Sequence, residues 1–186
     1  MWCLACASFG FPLCSACTRS LRPARSRLIG DVGVDAAFSH TGAAARLVHN
    51  LKYRRSEAAG KLLATSMAAH LPDDVDVLVP IPRVLSRRIG YGIDQTAVLS
   101  KEVSRLTGIP VVNALAAPPW NRRLAGTVRD ERVAPTFKMR SAARGRVCLV
   151  DDVCTSGSTV ASAVSTLGCE TVSAVVATLA IGDRVR

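Results

Sequence analysis

Three short runs of almost unbroken aliphatic residues, Val75 to Ile81, Arg146 to Val150 and Val172 to Ile181, constrain the fold of this chain more than any other feature. A strand with one wet face alternates apolar and polar residues, whereas a strand that is apolar throughout is covered on both faces. The segments between these runs carry a helical period instead. Val160, Ala163, Val164 and Leu167 form an i, i+3, i+4, i+7 stripe that Gly168 can close. Leu99, Val103 and Leu106 mark one face of a second helix, which Asp94 can cap and which ends at Gly108-Ile109-Pro110. From about Ala43 to His70, Leu47, Leu51, Leu62, Leu63 and Met67 recur at helical spacings around a basic interruption, LKYRR, and the pattern stops before Pro72. A short strand is expected near Val111 and Val112. Ala116 to Arg144, with Pro118-Pro119 and no sustained period, reads as a long loop of the kind that usually carries function. The expected class is α/β, a parallel sheet flanked by helices.

With 186 residues, of which 49% are hydrophobic, the chain has material for one domain and a small appendage. No run approaches the roughly 18 apolar residues of a membrane span, and the first dozen residues lack a basic leader and cleavage pattern, so a cytoplasmic protein is expected. Lys and Arg number 24 against 14 Asp and Glu, a net charge of +10 that suits an anionic partner. Aromatic residues at 4% argue against a base-stacking platform for nucleic acid. The charge is clustered. Arg19, Arg22, Arg25 and Arg27 lie in a first stretch of thirty residues without an acid, and eight basic residues oppose Asp130 and Glu131 between Pro118 and Arg146.

Residues 1–22 stand apart, followed by a connection over 23–42 and the main domain over 43–186. Cys3, Cys6, Cys14 and Cys17 are spaced C-x2-C-x7-C-x2-C, and no charged residue precedes Arg19. Two such turns present four thiolates to one tetrahedral Zn2+, and a segment this short has no other evident means of fixing itself. With four protein ligands the ion would be structural. Redox dithiols and unpaired core thiols are the competing readings.

The stretch VCLVDDVCTSGST, Val147 to Thr159, carries the chemistry. Asp151 and Asp152 follow directly on a buried strand of a parallel sheet, at the carboxyl end where ligands of such sheets bind. Thr155, Ser156, Gly157, Ser158 and Thr159 then form a turn into a helix, whose first N–H groups and dipole suit a phosphate dianion. The carboxylates repel phosphate but accept hydrogen bonds from sugar hydroxyls. A ribose 5-phosphate satisfies both halves.

An aliphatic run, two acids, an aliphatic pair and a Thr-x-Gly-x-Thr turn resemble the signature of the type I phosphoribosyltransferases, which bind phosphoribosyl pyrophosphate (PRPP). With the N-terminal cysteines, the whole chain resembles the ComF family, in which a zinc-knuckle segment precedes a phosphoribosyltransferase domain. LKYRR at Leu51 is similar to that family's Leu-Lys-Tyr-Arg-Gly, VPIP at Val79 with IGYGIDQ to its Pro-Val-Pro and Arg-Gly-Phe-Asn-Gln elements, and RDER at Arg129 to the end of its flexible loop. Tyr91 and Asp94 stand where the family has Arg and Asn.

The resemblance implies a type I phosphoribosyltransferase fold and transfer of phosphoribosyl to an acceptor with release of pyrophosphate, assisted by Mg2+. It implies that Asp151 and Asp152 hold the ribose 2- and 3-hydroxyls, and that Val153, Cys154, Thr155, Ser156, Gly157, Ser158 and Thr159 surround the 5-phosphate. Arg83, Arg87 and Arg88 fall in the expected pyrophosphate loop, with Arg122, Arg123, Arg129 and Arg132 as a lid. Asp151, Asp152, Arg88 and Arg123 are the expected catalytic residues, and Lys52 and Tyr53 are expected on a helix surface. The alternative function is a PRPP or nucleotide sensor, or a single-stranded DNA-binding protein of DNA uptake (competence).

Overall fold

The computed structural model describes residues 1–83, 94–117, 136–169 and 172–180. Along the chain these form α1 (Ser15–Ser20), β1 (Arg27–Ile29), β2 (Val32–Ser39), α2 (Gly42–Arg54), α3 (Glu57–Ala68), β3 (Val77–Pro80) and α4 (Gln95–Thr107). They continue with β4 (Leu115–Ala116), β5 (Lys138–Met139), β6 (Val147–Cys154), α5 (Ser158–Leu167) and β7 (Val172–Leu179). The main sheet has the order β1-β2-β7-β6-β3. Its β2–β7, β7–β6 and β6–β3 pairs are parallel, and β1 is an antiparallel edge on β2.

The apolar runs are continuous because alternate residues enter two different cores. Leu78, Cys148, Val150, Val175 and Ala177 pack with Leu47, Leu51, Leu63, Met67, Leu99 and Val103 of α2, α3 and α4. Val77, Val79, Val147, Leu149, Ala174 and Val176 pack with Val160, Ala163 and Leu167 of α5 and with Leu115 and Phe137. The helix ends follow their capping residues. Asp94 accepts from the Ala97 N–H at the start of α4, and Gly108 closes it in the left-handed region.

The structure departs from the expected elements at several points. Residues 23–42, between the cysteine segment and the main domain, contain β1 and β2, and β2 lies inside the sheet against β7. Its small or polar Gly33, Asp35, Ala36 and Ala37 hid the strand from a search for large aliphatic residues. The helical region from Ala43 to His70 is two helices, broken where Arg55 turns left-handed at φ 53° and Ser56 caps α3. The ends of the expected long loop pair as β4 and β5, while 118–135 lie outside the described residues. Leu106 is 41% exposed, because Leu99 and Val103 already fill the buried stripe of α4. Strand β6 continues to Cys154 rather than stopping at Val150. At the expected strand near Val111, that residue forms an isolated parallel bridge to Leu78.

The N-terminal segment is docked on α2. Cys3, Ala5 and Cys17 enter the same core as Leu47, the Asn50 side-chain amide donates to the Leu4 carbonyl at 2.8 Å, and the Ala43 N–H donates to Ser20 Oγ at 3.1 Å. Among the described residues no helix is long and apolar enough to cross a membrane.

Candidate metal centre and candidate sugar-phosphate site

The ligand atoms of Cys3, Cys6, Cys14 and Cys17 all lie within 4.8 Å of one another. Four sulfurs bound to one zinc at about 2.3 Å stand about 3.8 Å apart. Cys6 Sγ and Cys14 Sγ are 3.7 Å apart. The turn between the two cysteine pairs depends on Gly10, whose φ is 132° and where a Cβ would lie 2.8 Å from the Cys14 Cα. The thiols are not equivalent. Burial works against the Cys3 thiolate, but N–H groups of Cys14, Ala5 and Cys6 hold its pKa below the ordinary thiol value. Ser8 holds Cys6 at about 6, whereas burial pushes Cys17 up to about 12, with Arg46 Nη2 at 3.5 Å from its sulfur opposing the rise. A bound cation removes the proton from such a thiol outright. The cluster therefore fits a structural metal such as zinc, with no position left open for a substrate.

At the opposite end of the sequence, Asp151 and Asp152 lie within β6, not beyond it. Asp151 is paired with Val176 and Val153 with Thr178 in the ladder to β7. The ladder places both acids at the carboxyl end of the parallel sheet while fixing their backbone. Asp152 is 2% exposed. Its carboxylate meets the Lys52 ammonium at 3.1 Å and the Arg83 guanidinium. Asp151 is partly exposed and accepts from the Asp152 N–H at 2.7 Å. Burial, then the neighbouring Asp152 charge, push the Asp151 carboxyl up to about 7.

The turn after β6 leads directly into α5. Gly157 adopts φ 85° and caps α5 without a side-chain hydrogen bond, and no acidic residue occupies the first turn. Of the first N–H groups of this ten-residue helix, that of Ser158 has a long contact of 3.4 Å to Ser156 Oγ, and Gly157 itself offers them no side chain. Thr155 and Ser156 are exposed, Ser158 and Thr159 partly so, and the Ser156 and Ser158 hydroxyls are 3.0 Å apart. Val153 is half-buried and Cys154 buried, so these two support the turn from beneath. Arg27 donates to the Thr155 carbonyl at 2.7 Å. A Cβ on Gly157 would meet Ile29 Cδ1, the end of a movable side chain, at 2.2 Å, so it is chiefly the φ of 85° that requires glycine here.

Lys52 is the clearest correction to the expected site. It was expected on a helix surface, yet its ammonium reaches Asp152. Helical spacing held the signal, since Lys52 lies one turn beyond the buried Val48 and next to the buried Leu51. Arg83 reaches the same acid because β3 and β6 are neighbours. His40 had no sequence signal, since β2 itself was hidden. Its Nδ1 lies 2.8 Å from Thr178 Oγ1, and its main-chain N–H donates to the Leu179 carbonyl at 2.8 Å. Arg87, Arg88, Arg122, Arg123, Arg129 and Arg132 lie outside the described residues. A cleft of about 440 Å³, lined by His40, Arg46, His49, Lys52 and Tyr53 among others, opens along α2.

Neither the models of known protein families nor the curated proteins match this chain. Fold and site define an α/β protein with a mostly parallel sheet flanked by helices. It carries an N-terminal cysteine cluster able to hold a metal, and a carboxylate pair with cationic partners in the strand that leads to the N-terminus of α5.

Proposed function

We propose that this protein is a phosphoribosyltransferase of the ComF type, which binds PRPP and transfers its phosphoribosyl group to an acceptor with release of pyrophosphate. The supporting observation is the continuity of the acid pair with the anion cradle. Asp151 and Asp152 lie in the carboxyl half of β6, and beyond the strand the left-handed Gly157 leads directly into the start of α5. Hydroxyl donors of the ribose suit the first, and the 5-phosphate suits the second. Lys52 and Arg83 bring positive charge to the same acid, where the leaving pyrophosphate adds negative charge. The four cysteines are the only group of three or more metal-ligating side chains found together among the described residues. An Mg2+ at the sugar site therefore fits as an ion carried by the ligand's phosphate oxygens, with Asp151 and Asp152 beside it. It would neutralise charge on the departing pyrophosphate.

Titration calorimetry with ribose 5-phosphate tests the reading. Saturable binding is expected, strengthening as pH rises through about 7, because an ionised Asp151 accepts hydrogen bonds that its acid form does not. The second phosphate ionisation, near pH 6, strengthens binding lower down. The diagnostic is therefore Asp151→Asn, which should lose the rise around pH 7 and keep the lower one. Folded protein that does not bind ribose 5-phosphate at any pH overturns the proposal.

A second reading, single-stranded DNA binding, is favoured by Trp2, Phe9 and Phe11, which are 69%, 80% and 57% exposed in the uncharged stretch that precedes Arg19, Arg22, Arg25 and Arg27. Stacking platforms need such rings. Binding that quenches tryptophan fluorescence and weakens steeply with salt is expected; salt-insensitive or absent binding excludes it.

A further inference from the structure

We propose that the cleft beside His40 receives the acceptor, that the acceptor is a small nitrogen compound carrying an anionic group, and that His40 takes the proton the acceptor loses. The inference rests on the phosphoribosyl-transfer reading and deepens it.

The lining of the cleft selects a class of ligand. Ala45 and Val48 supply apolar wall, His49 and Tyr53 supply rings whose centroids are 4.5 Å apart, and Arg46 and Lys52 supply positive charge. Among the described residues no carboxylate lines it. At about 440 Å³ it has the size of an ordinary small-molecule site, and this mixture of apolar wall, ring and cation suits a small planar acid. Both cations have donors to spare. Lys52 has three N–H groups and meets Asp152, while Arg46 has five and meets Cys17 Sγ. Because Lys52 touches both the cleft and the acid assigned to ribose, a ligand held here adjoins the sugar.

Thr178 Oγ1 lies between the main-chain carbonyl of Asp152 at 3.3 Å and His40 Nδ1 at 2.8 Å, and has one hydroxyl proton to give. The proposed role requires that this proton go to the carbonyl, so that Nδ1–H donates to the threonine oxygen and Nε2 of the neutral ring keeps its lone pair for the acceptor. The charged groups facing the ring are Lys52 of α2 and Asp152 of β6. Burial and Lys52 outweigh Asp152 and hold the imidazole below its ordinary pKa. Arg46 and His49 share the cleft lining. In the reaction, the acceptor nitrogen's lone pair forms the new bond to C1 of the sugar. The bond from C1 to the pyrophosphate oxygen breaks and its electron pair leaves with pyrophosphate, and the acceptor N–H proton passes to His40 Nε2.

The test uses the full metal-loaded chain, with ribose 5-phosphate titrated first. Anthranilate, whose amine carries the N–H that the step requires, is then compared with its uncharged counterpart, aniline. Aniline should bind about tenfold more weakly or worse, and Arg46→Gln and Lys52→Met should each weaken anthranilate about tenfold. His40→Gln should retain the acid within about threefold, since its part is in proton transfer. Nitrogen NMR of wild type near pH 7 should show His40 neutral and protonated on Nδ1. Ribose 5-phosphate binding with no preference for the acid overturns the cleft assignment and leaves the proposed function standing. Absence of ribose 5-phosphate binding overturns both. An Nε2-protonated or cationic His40 overturns its role as base.

Discussion

Replacing Asp152 with asparagine should cost this protein both stability and ligand. The carboxylate is buried and meets Lys52 and Arg83, whose side chains are each only 18% exposed. An amide leaves two cations facing a neutral group, and breaking a buried pair in this way typically costs about 3 kcal/mol, discounted to about 2 for the partial exposure of the cations. From the sequence, with the acids placed beyond the end of a strand, such a change should spare the fold. Their position inside β6 reverses that expectation. Affinity for PRPP should fall about tenfold or more, since charge-assisted hydrogen bonds to the ribose are lost. Adding Lys52→Met to Asp152→Asn should recover part of the stability and none of the binding, because the unpaired charge is removed while the acceptor of the ribose hydroxyls is still missing. Denaturant midpoints and calorimetry on the three variants measure the two effects separately. An Asp152→Asn protein as stable as wild type would show that the ion pairs are not formed in solution.

Loss of metal should have the larger effect on the N-terminal half. Purified protein should carry about one zinc per chain, and Cys14→Ser should lose it, because three thiolates and a hydroxyl make a far poorer tetrahedral site. Cys3 and Cys17 are buried against α2, so the consequence should spread beyond residues 1–22. Hydrogen exchange should accelerate through the segment and at the start of α2, where Ser20 holds the Ala43 N–H. The amides of β6 and β7, paired in the middle of the sheet, should stay protected. Reduced protein never exposed to chelator and yet free of metal would rule out the centre.

Periodicity and spacing determined much of this molecule without tertiary information. Continuous apolar runs gave away β3, β6 and β7, since only strands covered on both faces are apolar at every position. Asp94, Gly108, Gly157 and Gly168 marked helix ends by local chemistry, and cysteine spacing alone marked the four thiols that converge. These features are legible because each is set within a few residues of itself. The tertiary structure decided what depends on residues distant in the chain. It put β2 between β1 and β7, although β2 is built from small residues whose burial comes from the strands around them. It turned Lys52 from a surface position into a partner of Asp152, and set His40 against Thr178. A side chain's period tells which face of its own element it lies on. What stands opposite that face is decided by how the elements are stacked, and so the acids, their turn and the loop of Arg83 could be read from the sequence but the reach of Lys52 to Asp152 could not.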